Sequence, residues 1–491
     1  MTYTRKAVRG AMYVFVNTII ASLIAYVTRM ALARNMAPDE FGLFFSVWTF
    51  VAFFLFFTDL GLAQALAKFI AEFKASEDLH KVKTSIVSTT IFLFVNSAVL
   101  GLALYASSNF LADNYFKNPY AADLLKLFFI YVLARAVVIA MRNTFMGLQK
   151  MFTYSLFESV KNIATLIIIF VLFQLGYGIF TPMYAYIGGW IVLIIIFAIP
   201  FIKSFPLKHK IQNLTGMTKK LFLFGIPLVF TGIGERVVGY ISTIMLTYFA
   251  TLTEVGIYNV VFPSALIFMF FSNSIGTIAL PMTSELWAKK DKKRISDGLG
   301  LFYKYAFLIT IPFIFAIFIF AKMFITLFFG EAYATGALAF QILLIGVLFF
   351  IVAQINNSVL AGIGKPREIT KNIIVAALTN IVLNLILIPN YGMNGAAIST
   401  AASYVIVLVL STLKIRKFVG IHVPWQNWVK TFGLGLIFAL AVYFTSDFIV
   451  ANKWLELVLS VGVGLVIYAA FVLIFKMVDF KEIKKYILLV K

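Results

Sequence analysis

Asn384-Leu-Ile-Leu-Ile-Pro-Asn-Tyr-Gly-Met-Asn-Gly-Ala-Ala-Ile-Ser399 joins two apolar runs, 371–389 and 395–413, through a turn-rich Pro-Asn-Tyr-Gly break. Moved back by 214 residues, Tyr391-Gly392 falls on Tyr177-Gly178, which also separates two apolar runs, 157–176 and 181–202. The same shift lays Glu254-Val255-Gly256 on Glu40-Phe41-Gly42. With one inserted residue, Ala361-Gly-Ile-Gly-Lys365 falls on Met146-Gly-Leu-Gln-Lys150. The chain therefore contains an internal repeat, and each copy holds six apolar runs. Six is even, so both copies run the same way: a parallel repeat about an axis along the membrane normal.

Outward from that repeat, the whole chain is apolar. Of its 491 residues 62% are hydrophobic and 12% charged, with a mean hydropathy of +0.98. An ordinary soluble chain has about 45–50% apolar and about 25% charged residues. Fourteen runs stand out, at 11–33, 43–66, 84–106, 123–147, 157–176, 181–202, 221–249, 257–282, 298–321, 336–361, 371–389, 395–413, 431–449 and 455–477. At about 22 residues each they take up roughly 310 residues, which leaves almost nothing for a water-soluble domain. The expected fold is an all-α integral membrane protein with about 14 transmembrane helices. Helices 1–6 form an N-lobe (1–210), helices 7–12 a C-lobe (211–420), and 421–491 holds helices 13 and 14 and a tail. Two six-helix lobes facing each other across a central cavity suit an alternating-access transporter.

The charge balance reports topology. Net charge is +21, which in a soluble chain would suggest nucleic acid; here no nucleic-acid partner is expected. With fourteen spans, 31 of the 41 Lys and Arg lie at the N-terminus, in even-numbered connections and in the C-terminal tail, and five on the opposite side. Basic loops stay in the cytoplasm, so the expected location is the cytoplasmic membrane with both termini inside. The absence of cysteine excludes disulfides, thiolate metal sites and cysteine nucleophiles. His80, His209 and His422 fall in basic loops and are read as solvated.

The paired lobes with two extra helices, the Asn384 to Ser399 stretch and Leu360-Ala-Gly-Ile-Gly-Lys365 resemble the polysaccharide exporters of the MATE-like (MOP) superfamily. The likeness is nearest to the Wzx-type flippases of lipid-linked oligosaccharides. Arg34-Asn-Met-Ala-Pro-Asp-Glu-Phe-Gly-Leu43 and Phe329-Gly-Glu-Ala-Tyr333 are similar to that family too. The resemblance implies a carrier that moves a glycan linked to a polyprenyl pyrophosphate from the inner to the outer leaflet, for cell-surface polysaccharide biosynthesis, among membrane lipids. A lipid II flippase and an ion-coupled exporter of drugs or small solutes are the alternatives within the superfamily; the exporters normally have twelve helices. A membrane glycosyltransferase would need a sizeable external loop, and the longest here, 107–122, is too short.

A charge inside a span costs about 2.5–3.5 kcal/mol on insertion scales and should face a wet cavity or a partner. The candidates are Arg29, Asp59, Arg135, Arg142, Glu158, Glu235, Arg236 and Lys304. On helix 1, Thr18, Ser22, Tyr26 and Arg29 make one polar stripe; Arg236, Tyr240, Thr243 and Thr247 make another on helix 7, at positions the repeat relates. Arg29, Arg236, Arg135, Tyr26, Tyr240, Ser22 and Thr243 are thus the expected cavity residues. A guanidinium suits a pyrophosphate because it stays protonated and grips two oxygens at once. Arg142 and Lys304, near span ends, are expected to snorkel, and Glu158 to pair locally with Lys161. Asp59, whose repeat counterpart is uncharged, and Glu235 are the candidates for coupling transport to H+ or Na+.

Three further signals are declined. Gly362-Ile-Gly-Lys-Pro366 lacks the Ser or Thr and the first glycine of a phosphate loop, so no nucleotide and no cofactor is expected. Asp39-Glu40, like Glu254, follows a turn where acids favour a helix start. The sequons at Asn213 and Asn356 fall on the cytoplasmic side. No metal site and no enzymatic activity are expected.

Overall fold

A computed structural model describes residues 3–421, 425–448 and 452–478; within them the side chains of 3–8, 227–237, 447–448 and 453 lie outside the description. The described residues form helices and no strand. They are α1 (Tyr3–Asn35), α2 (Pro38–Asp59), α3 (Leu62–Ala75), α4 (Leu79–Leu111), α5 (Tyr120–Gly147), α6 (Met151–Gln174), α7 (Thr181–Ser204), α8 (Leu214–Phe249), α9 (Leu252–Leu266), α10 (Met269–Ala288), α11 (Lys292–Ile319), α12 (Ala321–Phe329), α13 (Ala337–Gly362), α14 (Pro366–Phe418), α15 (Trp425–Phe448) and α16 (Lys453–Ile474). Apart from their ends, the described parts of the apolar runs are helical, two of them divided between two helices, because in hydrocarbon a backbone must satisfy its polar groups within its own segment. Two of those runs share α14 and meet at Gly392, whose φ of 52° and ψ of −130° are not helical. α8 has 36 residues, more than the roughly 20 a crossing needs.

Two runs read as single helices are broken. Run 43–66 breaks at Leu60-Gly61, both in the left-handed region with φ of 45° and 75°. Asp59 Oδ1 accepts the N–H of Ala63 at 2.8 Å. Asn96 of α4 donates to the carbonyls of Phe57 at 2.8 Å and Thr58 at 3.1 Å. Backbone groups released by the break are thereby taken up, as apolar surroundings demand. Run 257–282 breaks between α9 and α10, shortly after Pro263. The 214 shift lays Leu60-Gly61 on Ser274-Ile275, about two turns past that second break, so the same span is interrupted in both halves but at different depths. Interrupted spans point to where a transporter binds its cargo.

The chain divides into two compact units, Met1–Gly256 and Ile257–Lys491. In the first, α1 packs on α6, α4 on α5, α6 on α7, and α8 against α2, α3 and α4. Leu62, Leu66 and Phe69 of α3 meet Val82 and Ile86 of α4 and Leu221 of α8 in a buried core. In the second, α13 packs on α14 and α10, and α15 on α16 and α11. Phe438 and Tyr468 close on Leu308 and Phe320 there, and the Tyr468 hydroxyl donates to the Leu308 carbonyl at 2.9 Å.

Glycine sets the closest approaches in the first unit, as helix packing in lipid requires. A Cβ on Gly42 would run into the Leu252 carbonyl and lie 2.9 Å from Gly256 N. One on Gly256 would run into the Pro38 carbonyl and lie 3.0 Å from Gly42 N. The contact is reciprocal, since Pro38 and Leu252, like the two glycines, are 214 residues apart. The caps repeat as well: Glu40 Oε2 accepts the Ala37 N–H at 3.3 Å, and Glu254 Oε2 the Thr251 N–H at 3.4 Å. These acids sit at helix starts, in agreement with the capping reading. The loop histidines differ from expectation. His80 Nδ1 accepts the Lys210 N–H at 3.0 Å, and its ring lies 4.9 Å from that of His209. Together with Lys83, which donates to the carbonyls of Leu207 and His209, they tie the α7–α8 connection to α4. His422 lies outside the described residues.

Candidate functional site

The first unit gathers the charged residues that its spans contain. Arg29 of α1 lies 4.4 Å from the centroid of the Phe45 ring on α2, with Tyr186 of α7 and Tyr26 one turn back in its electrostatic surroundings. Tyr186 packs against Trp48 at 4.6 Å, and Trp48 meets Tyr131 of α5 edge-on at 5.3 Å. Tyr131 in turn contacts Trp190. An aromatic wall thus runs from Arg29 toward α5. One turn beyond Tyr131, Arg135 Nη1 donates to Thr58 Oγ1 at 3.4 Å, directly beside the helix break.

Two turns further along α5 the pattern changes from aromatic to ionic. Arg142 Nη1 pairs with Glu158 Oε1 at 2.9 Å, and its guanidinium stands 4.8 Å from the Tyr154 ring. Arg142, expected to snorkel, instead pairs with a carboxylate on the neighbouring helix. Lys161 Nζ holds the other oxygen of Glu158 at 2.5 Å and lies 5.0 Å from the Trp190 ring. The expected Glu158 and Lys161 pair is present, widened by Arg142 into a triad with one carboxylate for two cations. Arg142 Nε is buried with no hydrogen-bond partner among the described residues. From Arg29 to Lys161, the described spans of this unit carry four cations with Asp59 and Glu158, so among the described residues cations outnumber carboxylates.

Between the break, α5 and α6 lies a cavity of about 700 Å³, lined by Asp59, Gln64, Lys68, Arg142, Asn143 and Tyr154 among others. Its lining reaches from Asp59 at the helix break to Gln149 in the α5–α6 connection.

The remaining expected residues are distributed differently. Ser22 is exposed and Tyr26 half-buried on the same face of α1 as Arg29. Tyr240 is half-buried, while Thr243 is buried. There the Thr243 carbonyl accepts from Thr247 Oγ1 at 2.8 Å, which also donates to Ser46 Oγ of α2 at 3.0 Å. The side chains of Arg236 and Glu235 lie outside the described residues. Sequence reasoning missed Trp48, Tyr131, Tyr186 and Trp190, because an aromatic in an apolar run carries no pattern of its own. It also missed Gln64, Asn143 and Gln149, although Arg135 and Arg142, seven residues apart on one side of α5, make a detectable stripe with Asn143 beside it. In the second unit the buried polar side chains are neutral. Asn356 receives the Tyr303 hydroxyl and donates to Ser411 Oγ at 3.0 Å, while Asn384 donates to Asn380 at 2.9 Å. No group of three His, Asp or Glu side chains gathers among the described residues.

A family model described as polysaccharide biosynthesis protein matches residues 7–287, more than half of the chain and all of the charged unit. The chain belongs to the polysaccharide biosynthesis protein family. A second model, MatE, matches residues 227–386, which places the family within the MOP superfamily. An uncharacterized membrane protein of Methanocaldococcus jannaschii is 28% identical over 99% of this chain and 98% of its own length. A probable low-salt glycan biosynthesis flippase, Agl15 of Haloferax volcanii, is 20% identical over 98% of this chain and 99% of its own. Among solved structures, the lipid II flippase MurJ in an inward closed conformation superposes with a TM-score of 0.75 at 17% identity, over 95% of this chain and 98% of that one. As a family member the chain shares the all-helical, two-unit fold of these membrane transporters.

Proposed function

We propose that the protein is a flippase that carries a polyprenyl-pyrophosphate-linked oligosaccharide from the cytoplasmic to the outer leaflet by alternating access. The halves 1–210 and 211–420 are the alternating lobes, and 421–491 adds two helices outside the repeat. One observation carries this reading: among the described residues of the first unit's spans, Arg29, Arg135, Arg142 and Lys161 stand with the carboxylates Asp59 and Glu158. An excess of guanidinium groups in a low-dielectric region suits a cargo that brings two phosphates with it. The glycan-flippase name of a relative that matches end to end supports the same substrate class. Arg236 is the further cation expected to serve the cargo from the second half. Asp59, at the break and on the cavity wall, is the group through which a proton or sodium gradient would drive the cycle, with Glu235 as its alternative.

Purified protein in liposomes should move a short polyprenyl-pyrophosphoryl oligosaccharide between leaflets and leave a drug-like cation untouched. Movement of lipid II with no movement of other lipid-linked glycans would transfer the protein to the peptidoglycan branch of the superfamily. Movement of the drug alone would sink the proposal. Asp59→Asn should remove the dependence of transport on an imposed gradient while the protein remains folded.

A further inference from the structure

We propose that the cavity between the α2–α3 break, α5 and α6 is a subsite for an uncharged sugar, the first saccharide of the cargo, separate from the place that takes its pyrophosphate. This rests on the flippase reading and adds a division of labour to it.

The cavity is ill suited to an anion because its cations are engaged. Lys68 pairs with Glu72, and Arg142 is held by Glu158 and lies over Tyr154. Asp59 adds a carboxylate of its own. What the walls do offer is amides: Gln64, Asn143 and Gln149, with the Tyr154 hydroxyl. Each amide presents donors and an acceptor together, the combination that hydroxyl and N-acetyl groups require. Asn143 uses one N–H on the Ile139 carbonyl at 2.9 Å, so its oxygen and second N–H remain for a ligand. Gln64 and Gln149 make no side-chain hydrogen bond to any described residue. Gln64 is exposed on the cavity side of α3, one turn before Lys68, an arrangement that water or a polar ligand in the cavity stabilises.

Shape agrees with chemistry. Ala63, Ala67 and Ala71, one turn apart on α3, form a floor without bulky side chains, on which a ring can lie flat. About 700 Å³ is within the range of sites that enclose small ligands, enough for one or two sugar rings and too little for a long glycan. Position agrees too. Arg135 stands just past the break, so a sugar in the cavity and a phosphate at Arg135 can belong to one molecule.

Farnesyl pyrophosphate, bare or carrying a single N-acetylglucosamine or glucose, separates the two subsites. Binding to the purified protein is measured for the parent chain, for Gln64→Leu with Asn143→Leu, and for Arg135→Ala. The double variant should bind the sugar-bearing probes about tenfold more weakly, the loss of a hydrogen bond or two, while bare farnesyl pyrophosphate binds as before. Arg135→Ala should weaken all three. Equal losses for bare and glycosylated probes, or no loss for either sugar, would overturn the sugar subsite and leave the flippase reading standing. Failure of the parent chain to bind any of the three would overturn both. Should the double variant not fold, Met146→Cys provides the second measurement, because this cavity residue would be the chain's sole thiol. Its maleimide labelling should be slowed by the glycosylated probes and unaffected by the bare one; equal rates with both would again overturn the subsite.

Discussion

At the residue scale, the first unit handles its buried charge in two ways, and each predicts a different mutant phenotype. Glu158 stands between Arg142 and Lys161, and removing a carboxylate that two cations share leaves charge uncompensated. Because Arg142 and Glu158 keep side-chain exposures of 32% and 36%, solvent screens part of the effect. Glu158→Gln should therefore lower stability by about 1–2 kcal/mol, read as a lower unfolding temperature in detergent, with substrate affinity affected less. Arg29 is the contrasting case. Its guanidinium lies over the Phe45 ring with Tyr26 and Tyr186 nearby, a cation–π setting rather than a shared carboxylate of the Glu158 kind. Arg29→Ala should keep its stability and bind farnesyl pyrophosphate about tenfold more weakly, the loss of a charge-assisted bond. Arg29→Lys should recover only part, since an ammonium cannot make the two-pronged contact. A stable Arg29→Ala protein with unchanged affinity would remove Arg29 from the anion site. The charged members of this site were legible in the sequence because a charge in a span is rare and must be accounted for. Their aromatic and amide neighbours were not, because Trp48 or Asn143 alone breaks no rule of span composition, and only the fold brings them together.

At the element scale, the break between α2 and α3 is the feature that places the site. Hydropathy showed run 43–66 as continuous, since Leu60 is apolar and one glycine does not end an apolar run. The local signal was present in Asp59-Leu60-Gly61: an acid able to cap a following helix, ahead of a residue free to take positive φ. Gly61 is required twice over. Its φ of 75° disfavours any side chain, and an added Cβ would meet the backbone of Gly225 on α8, with Gly225 Cα at 2.8 Å. Gly61→Ala should consequently prevent the packing of α3 on α8 and lower both yield and thermal stability. Ala63→Gly, on the same element and free of that contact, should cost only about 1 kcal/mol of helix propensity. Asn96→Leu probes the other side of the break by leaving the Phe57 and Thr58 carbonyls without their donor, at about 1–3 kcal/mol. If Gly61→Ala is as stable as Ala63→Gly, the close approach to α8 has no energetic weight.

At the scale of the whole molecule, a shift of 214 residues read from a few short matches turns out to describe a physical contact. Gly42 and Gly256 touch through backbones that admit no Cβ, and Glu40 and Glu254 cap equivalent helix starts. Loop and helix-end residues carried this information because turns, caps and close approaches tolerate few residue types, whereas lipid-facing positions accept any apolar side chain. The same economy governs orientation, which no packing contact determines. The orientation we propose rests on the placement of 31 of the 41 Lys and Arg on one face of the segmentation and five on the other, the bias expected of basic loops kept on the cytoplasmic side. The helix boundaries sharpen the prediction. Ser76 in the α3–α4 connection and Lys292 at the start of α11 belong to the basic face, while Asn114, between α4 and α5, and Asn452, ahead of α16, belong to the other; all four are exposed. Since the chain has no cysteine, single substitutions Ser76→Cys, Lys292→Cys, Asn114→Cys and Asn452→Cys each create one thiol. In intact cells an impermeant maleimide should label the last two and reach the first two only after the membrane is opened. A shift of one span anywhere between two of these positions would exchange the accessibility of every position after it, so the four rates test the segmentation as well as the orientation. Labelling of Lys292→Cys from outside, with Ser76→Cys still protected, would mean that an odd number of crossings lies between them.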